Sequence, residues 1–106
     1  MLLLGVKKLK ELTIPDNVLS IGDNAFSNCD SLKTLTIGRG VESIGKNAFS
    51  RCKSLTSLVI PGNVKSIGYN AFSTCNKLVS LRLEEGIESI GASSFTGCNA
   101  LSELVI

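Results

Sequence analysis

The chain has 106 residues, of which 43% are hydrophobic and 19% charged, and its formal net charge is +2. This composition predicts one folded domain spanning residues 1–106, because disordered chains have fewer apolar residues and more net charge. The sequence contains no histidine, so the commonest general base and metal ligand is missing. Neither a basic stripe nor a set of stacking aromatic residues is present, and a nucleic-acid partner is therefore not predicted.

The amino-terminal residues 1–8 include the leucine run Leu2 to Leu4, but they lack the basic segment and long apolar core of a secretory signal. No window approaches the roughly 18 apolar residues of a membrane span. The sequence thus predicts a soluble chain without membrane insertion, either a cytosolic protein or a piece of something longer. It does not specify a compartment.

From residue 9 onward the sequence repeats every 23 residues without insertion or deletion. Leucine stands at positions 1 and 4 of each unit, isoleucine or leucine at 6, valine or isoleucine at 10, isoleucine at 13, alanine or serine at 17, phenylalanine at 18 and cysteine at 21. Internal repetition at such a period predicts a solenoid of stacked coils. The complete units, which we call coils 1 to 4, are residues 9–31, 32–54, 55–77 and 78–100, with partial coils at 1–8 and 101–106.

The partial coil at 1–8 is assigned on two residues. Leu3 falls in the phenylalanine column and Val6 in the cysteine column. This alignment favours the end of a preceding coil over a short terminal cap.

Within each unit, the alternation of apolar and polar residues around positions 4 and 6 predicts a short strand with one buried face. Copies one period apart would stack about 4.8 Å apart as a curved parallel sheet, which we call the strand wall. Turn residues such as Pro15-Asp16-Asn17 follow, and segments such as 41–45 predict a second, shorter extended stretch. The Asn-Ala-Phe segments predict a single helical or 3₁₀ turn, since they are too short for an independent helix.

The pattern LxxLxIPxxVxxIGxxAFxxC resembles the BspA-like, or Treponema-type, class of leucine-rich repeats, and the resemblance runs from about residue 9 to residue 106. It implies a right-handed leucine-rich-repeat solenoid of the α/β class, dominated by strands with little helix. For long family members it also implies location at the cell surface or outside the cell and a role in adhesion. Turn residues Gly38-Arg39 and Glu84-Glu85 depart from the proline of the motif, which predicts looser turns there.

The four cysteines, Cys29, Cys52, Cys75 and Cys98, lie one period apart. A zinc site is not indicated, because no C-x-x-C pair or histidine accompanies them. Parallel side chains in stacked coils also do not suit disulfide torsions. We interpret the cysteines as a buried structural column, with disulfides and metal or catalytic roles as the alternatives. The phenylalanine column is likewise interpreted as a core ladder rather than a stacking platform for bases or sugars. No catalytic residue, metal site or cofactor is predicted.

A protein partner would contact the outward side chains of the strand wall. We call these residues the predicted binding face: Glu11, Thr13, Thr34, Thr36, Ser57, Val59, Ser80, Arg82, Glu103 and Val105. A solvated face without a ligand is the alternative. Five short strands present roughly 250 Å² in projection, whereas a standard interface buries about 800 Å² on each partner. A partner must therefore also contact the turns, or the array must belong to something longer.

The last strand predicts a self-association edge at Leu104, Val105 and Ile106, because an uncovered edge strand pairs readily with another chain. Charge is also uneven: residues 1–82 hold eleven basic and five acidic residues, and residues 83–106 hold four acidic and no basic ones. The leading function is a non-catalytic protein-interaction scaffold, as a fragment of an adhesin-type surface protein. The alternative is a structural or self-assembling array, natural or engineered, that associates through its ends.

Overall fold

The computed structural model describes residues 8–106, which form about four turns of a parallel β-solenoid. In this part of the chain the regular elements are strands, and no helix is present. In chain order they are β1 (Glu11–Ile14), β2 (Ser20–Ile21), β3 (Thr34–Ile37), β4 (Ser43–Ile44), β5 (Ser57–Ile60), β6 (Ser66–Ile67), β7 (Ser80–Leu83), β8 (Ser89–Ile90) and β9 (Glu103–Val105).

The longer strands β1, β3, β5, β7 and β9 form the predicted strand wall. Their pairs are parallel and shifted by one repeat, so that Leu12 lies opposite Leu35 and Leu58 lies opposite Leu81. In β3, Leu35 and Ile37 are buried while the alternate threonines are exposed. The wall consists of two sheets, one made of β1 and β3 and the other of β5, β7 and β9.

The two-residue strands β2, β4, β6 and β8 form a second wall, which is one continuous four-stranded parallel sheet. The backbone bonds continue just before these strands, where the Glu42 N–H donates to the Leu19 carbonyl at 2.7 Å and the Lys65 N–H donates to the Glu42 carbonyl at 2.8 Å. The second extended stretch predicted from the sequence is therefore confirmed.

The one-turn helices predicted at the Asn-Ala-Phe segments are not present, and that part of the prediction is wrong. The N–H groups of Asn47, Phe49 and Arg51 donate to carbonyls of the next coil at 2.9, 2.8 and 2.8 Å. A helix would instead direct these groups along its own axis. Asn47 and Arg51 also have φ angles of 57° and 62°, in the left-handed region that breaks a right-handed helix. The segment is a run of turns bonded to its neighbouring coil.

The phenylalanine column forms a stack through the core, as predicted. Ring centroids of Phe26 and Phe49, Phe49 and Phe72, and Phe72 and Phe95 lie 5.3, 5.2 and 5.5 Å apart, with interplanar angles of 12°, 5° and 3°. The two central rings have no exposed surface. Because the faces of these rings contact one another, they do not form a platform for an external base or sugar.

The partial coil predicted at residues 1–8 falls, except for Lys8, outside the described residues, and so do the positions of Leu3 and Val6. The partial coil at 101–106 contributes β9, which pairs with β7 so that Leu104 lies opposite Leu81. β9 therefore extends the strand wall by one more strand.

Candidate functional site

The strand wall presents the whole predicted binding face on its outer side. Nine of the ten predicted residues are exposed, and Ser80 is half-buried. The outward direction follows from strand alternation, since the neighbouring residues Leu35, Ile37 and Leu58 are in the core. Their role in binding stays a prediction.

Half of this face lines one concavity of about 700 Å³. Thr13, Thr34, Thr36, Ser57 and Val59 contribute to its lining. Its volume lies within the range of about 300–1,000 Å³ that is usual for ligand sites. The remaining predicted residues lie outside this concavity, and two of them, Arg82 and Val105, line a smaller hollow of about 240 Å³.

The turns after the wall strands form a rim of the same concavity, and sequence reasoning did not include them among the site residues. This turn rim consists of Pro15, Asp16, Gly38, Arg39, Pro61 and Glu84. The sequence feature that could have identified these residues is their position in the repeat, because each lies one or two residues after the end of a wall strand. The sequence argument that a partner must contact the turns rests on interface area alone, whereas the structure places the turns beside the outward hydroxyls.

The strand wall is split between β3 and β5. Between the other pairs of successive wall strands, two consecutive N–H groups donate to one carbonyl of the preceding coil. These bonds run from Lys33 and Thr34 to Lys10, from Val79 and Ser80 to Thr56, and from Ser102 and Glu103 to Val79. Within residues 8–106, Thr56 and Ser57 make no corresponding bonds to Lys33, and β3 does not pair with β5. The same two coils remain bonded at the second wall, where the Lys65 N–H donates to Glu42. The split is thus local to the strand wall.

Pro61 removes one backbone donor at the end of β5. One coil later, Glu84 occupies the same repeat position, and its N–H donates to the Ile60 carbonyl at 3.0 Å. Pro61 has no N–H, so it cannot make the corresponding bond to Ile37. In the adjoining turn the Asn63 side chain spans the step instead, where its Nδ2 donates to the Gly38 carbonyl at 3.2 Å and the Val41 carbonyl at 2.7 Å.

The charged groups of the turn rim differ in how they are bonded. Asp16 Oδ1 accepts the Arg39 N–H at 2.9 Å, and Glu84 Oε1 accepts the Gly62 N–H at 3.3 Å. One oxygen of each carboxylate therefore accepts a hydrogen bond from a backbone amide. Within residues 8–106 the structure records no ion pair for the guanidinium of Arg39 or Arg82, and both residues are exposed. These two cations remain available to a partner.

The cysteine column is buried at Cys29, Cys52 and Cys75 and half-buried at Cys98, and the last three cysteines are free thiols. The burial prediction is confirmed for the first three. Each of the later thiols donates to a phenylalanine carbonyl of the preceding coil: Cys52 to Phe26 at 3.6 Å, Cys75 to Phe49 at 3.5 Å and Cys98 to Phe72 at 3.4 Å. The column is a packing element that also bonds neighbouring coils.

The electrostatics of this column oppose thiolate formation. A hydrogen bond with the neighbouring Cys52 thiol, together with burial, raises the pKa of Cys75 to about 12. A hydrogen bond with the Cys75 thiol, together with burial, likewise raises the pKa of Cys98. Because the thiolate is the nucleophilic form, these cysteines are poor nucleophiles near neutral pH.

The described residues contain no group of three or more histidine, cysteine, aspartate or glutamate side chains that could hold a metal ion. Nor does a helix long and apolar enough to cross a membrane occur among them. The chemistry available at the concavity is that of hydroxyls, backbone groups, two partly bonded carboxylates and a guanidinium.

The predicted self-association edge is exposed. Leu104, Val105 and Ile106 retain 53%, 50% and 87% of their surface. β9 pairs with β7 along one edge, and along its other edge no strand of the described residues covers it. Self-association through this edge stays a prediction.

Comparison with protein families finds one matching model. The model of the BspA type leucine-rich repeat region matches residues 4–106 in six copies. Among curated proteins no similar sequence was found.

Comparison with solved structures finds bacterial leucine-rich repeat proteins. A leucine-rich cell surface protein from Faecalibacterium prausnitzii is 31% identical with a TM-score of 0.87, over 92% of this chain and 26% of that protein. A leucine-rich repeat protein from Eubacterium ventriosum is 33% identical with a TM-score of 0.86, over 92% and 26%. The T. pallidum leucine-rich repeat protein is 28% identical with a TM-score of 0.83, over 92% and 56%. The chain thus spans about a quarter of the first two proteins and about half of the third.

The raised cysteine pKa values predict a loss of stability at alkaline pH. Between the ordinary thiol value of 9.0 and about 12, Cys75 ionises in the unfolded chain but not in the folded one. The unfolded state then binds fewer protons, so the free energy of unfolding falls as pH rises, by about 1.4 kcal/mol per pH unit for this thiol. Urea unfolding under reducing conditions, from about pH 8 to about pH 11, measures this slope.

Cys75→Ala is the matched control, because the two proteins differ at this thiol alone. The variant is expected to be less stable throughout but to have the shallower slope. Parallel slopes for the two proteins would contradict a buried, protonated Cys75.

Proposed function

Because the chain belongs to the BspA-type leucine-rich repeat family, we propose that it is a non-catalytic protein-interaction scaffold whose partner contacts the strand wall and the turn rim together. Leucine-rich repeat proteins are generally non-catalytic. The absence of histidine from the sequence also favours this role over an enzyme. The observation that carries the proposal is the concavity of about 700 Å³ that joins wall and rim.

The division between inward and outward columns supports a recognition role. The inward positions are fixed by packing, as in the stacked phenylalanines and the buried leucines of β3 and β5. The outward positions change from coil to coil, from Thr36 to Val59 to Arg82 along one column. A repeat array can therefore vary its contact surface without altering its core.

Interface size supports the participation of the rim. The wall alone offers roughly 250 Å² in projection, well below the about 800 Å² that each partner buries in a standard interface. The exposed turn residues Pro15, Asp16 and Arg39 add contact surface beside β1 and β3. A partner that contacts both surfaces meets the area requirement better than one that contacts the wall alone.

A location at the cell surface or outside the cell, and an adhesin-type role, are further parts of the proposal. They are supported by the F. prausnitzii relative, which is described as a leucine-rich cell surface protein. Since the chain spans only 26% of that relative, the chain would act as one segment of a longer recognition surface.

The scaffold proposal predicts that binding of a protein partner weakens when charged side chains are introduced into the concavity. Thr36→Lys combined with Val59→Lys places two lysines on the exposed face of adjacent wall strands, with the core unchanged. Proteins cross-linked to the wild-type chain are identified by mass spectrometry, and capture of a wall-binding partner should fall about tenfold or more, because unpaired charges are costly in an interface.

The matched control is Leu19→Lys combined with Thr96→Lys, which adds the same charge at exposed positions away from the strand wall. Capture by this variant should equal that of the wild type. If the two double variants capture the same proteins in the same amounts, the proposed role of the strand wall is wrong.

A second candidate function is a self-assembling array, which the exposure of Leu104, Val105 and Ile106 favours. Its edge strand presents unpaired backbone groups and apolar side chains together, the combination that promotes strand addition. The positive excess in residues 1–82 and the negative excess in residues 83–106 favour head-to-tail contact.

For this candidate we expect Ile106→Lys to shift the chain toward monomer in sedimentation equilibrium, since the change places a charge at the edge. Val79→Lys is the control, because Val79 is exposed but lies outside that edge. Head-to-tail contact should also weaken as salt rises. A monomer at every concentration and salt level would refute self-assembly.

A further inference from the structure

We propose that one edge of the strand wall binds a linear sulfated polysaccharide through a row of lysines that runs along the solenoid. We call this row the basic edge, and it consists of Lys8, Lys10, Lys33, Lys53 and Lys77. The inference goes beyond the proposed function, because its ligand is a carbohydrate and its surface lies across the strand wall from the turn rim.

The basic edge is formed by the short segments that directly precede the wall strands. These segments are residues 8–10, 30–33, 53–56, 76–79 and 99–102. Because paired wall strands are parallel, their amino ends meet at the same edge. The lysines are dispersed over four repeats, so the linear sequence shows no basic run, and the fold gathers them.

Hydrogen bonds place successive segments one coil apart. The Lys33 N–H donates to the Lys10 carbonyl at 2.8 Å, and the Ser54 hydroxyl donates to the Asp30 carbonyl at 2.6 Å. The second bond joins the segments before β3 and β5, so the row continues past the split in the strand wall. The segments before β5 and β7 are joined by backbone bonds. Three steps of about 4.8 Å give a row of about 14 Å.

The basic edge carries an excess of positive charge. Its five lysines are exposed, and within residues 8–106 the structure records no ion pair for them. The edge segments contain one acidic residue, Asp30, while Glu11 and Glu103 begin the first and last wall strands. The lysines therefore outnumber all the acidic residues near the row.

The opposite edge of the strand wall has the opposite sign. The turns that follow the wall strands hold Asp16, Glu84 and Glu85 against the single cation of Arg39. The wall therefore separates a basic edge from an acidic one. A polyanion is attracted to the first and repelled from the second.

The spacing of the row favours a polysaccharide over an acidic peptide. An extended peptide directs side chains to one side about every 6.6 Å, whereas successive coils are about 4.8 Å apart. The carboxylates of a peptide therefore match only some of the lysines. A sulfated polysaccharide carries several anionic groups on each pair of sugar rings, so every lysine of the row meets a negative charge.

Nucleic acids and membranes fit the basic edge less well. Single-stranded nucleic acids are held by aromatic side chains that stack on bases, and the edge segments contain no aromatic residue. A membrane is a plane, whereas from coil 2 onward the row is one lysine wide. Among these segments Val79 is the one exposed large apolar residue, which is too little for insertion into a bilayer.

The polar groups of the edge suit sulfate. The edge segments contain no arginine, so they offer point charges instead of the planar fork that matches a carboxylate. The N–H groups of Thr56 and Ser57, which make no bond to Lys33, lie at the same edge beside Lys53. They add hydrogen-bond donors for sulfate oxygens near the centre of the row.

The test is a calorimetric titration of the chain with a size-defined heparin hexasaccharide at several salt concentrations. Lys33→Gln combined with Lys53→Gln should weaken binding about tenfold, because two charge contacts are lost. The logarithm of the association constant should fall linearly with the logarithm of the salt concentration. For this variant the slope should be shallower by about two, or about one for each lysine.

Lys46→Gln combined with Lys65→Gln is the matched control, since both lysines are exposed beside strands of the second wall. This variant should keep the affinity and the salt slope of the wild type. Asp30→Asn should strengthen binding about twofold, because it removes the acidic group within the row and keeps the backbone carbonyl that accepts the Ser54 hydroxyl. Such a gain does not arise from misfolding.

Four results would each overturn the inference: no binding of the hexasaccharide at low salt, equal losses in the two double variants, weaker binding by Asp30→Asn, or equal binding of the desulfated hexasaccharide. Tighter binding of phosphatidylserine vesicles or of a glutamate hexapeptide would assign the edge to another class of ligand and overturn it as well. None of these results affects the proposed function, whose test changes Thr36 and Val59 on the strand wall.

Discussion

Backbone hydrogen bonding between successive coils is the constraint on which the rest of this structure depends. Each coil places its strands one period from those of its neighbour, so that Leu12 lies opposite Leu35 and Ile21 opposite Ile44. Because every coil bonds mainly to its neighbours, a change in unit length would displace all the columns at once. The phenylalanine stack and the thiols that donate to phenylalanine carbonyls follow from this register. The core is therefore a consequence of the ladder and reinforces it.

The same constraint explains how a uniform scaffold acquires a local site. Where each step of the ladder is complete, the wall offers only its outward side chains. Between β3 and β5 the ladder is incomplete: the Thr56 and Ser57 N–H groups make no bond to Lys33, and the Asn63 side chain bonds the adjoining turn. Ser57 and Arg39 then line one concavity. A small departure from the repeat thus distinguishes one part of the wall from the others, which is what a repeat protein requires for specific recognition.

Much of the fold could be predicted from the sequence, because stacking the repeats in register gathers most of the apolar columns into one core. The wall strands, the second wall and the buried cysteines were predicted in this way. The turn segments were predicted wrongly as helical turns, because their N–H groups bond to the next coil, and pairing across coils is not visible in a local segment. The binding face could be predicted as outward positions, but not the concavity. The split could not be predicted either, because β5 has the same alternation of exposed and buried residues as β3, which does pair with β1.

The most direct test of this account is amide hydrogen exchange along the strand wall, resolved by residue. The N–H groups of Val79 and Ser80 bond to the Thr56 carbonyl, whereas those of Thr56 and Ser57 make no such bond to Lys33. Hydrogen-bonded amides exchange through local opening, so the account predicts exchange at least about tenfold faster for Thr56 and Ser57 than for Val79 and Ser80. Equal protection of the two pairs would show a continuous ladder and contradict the split wall.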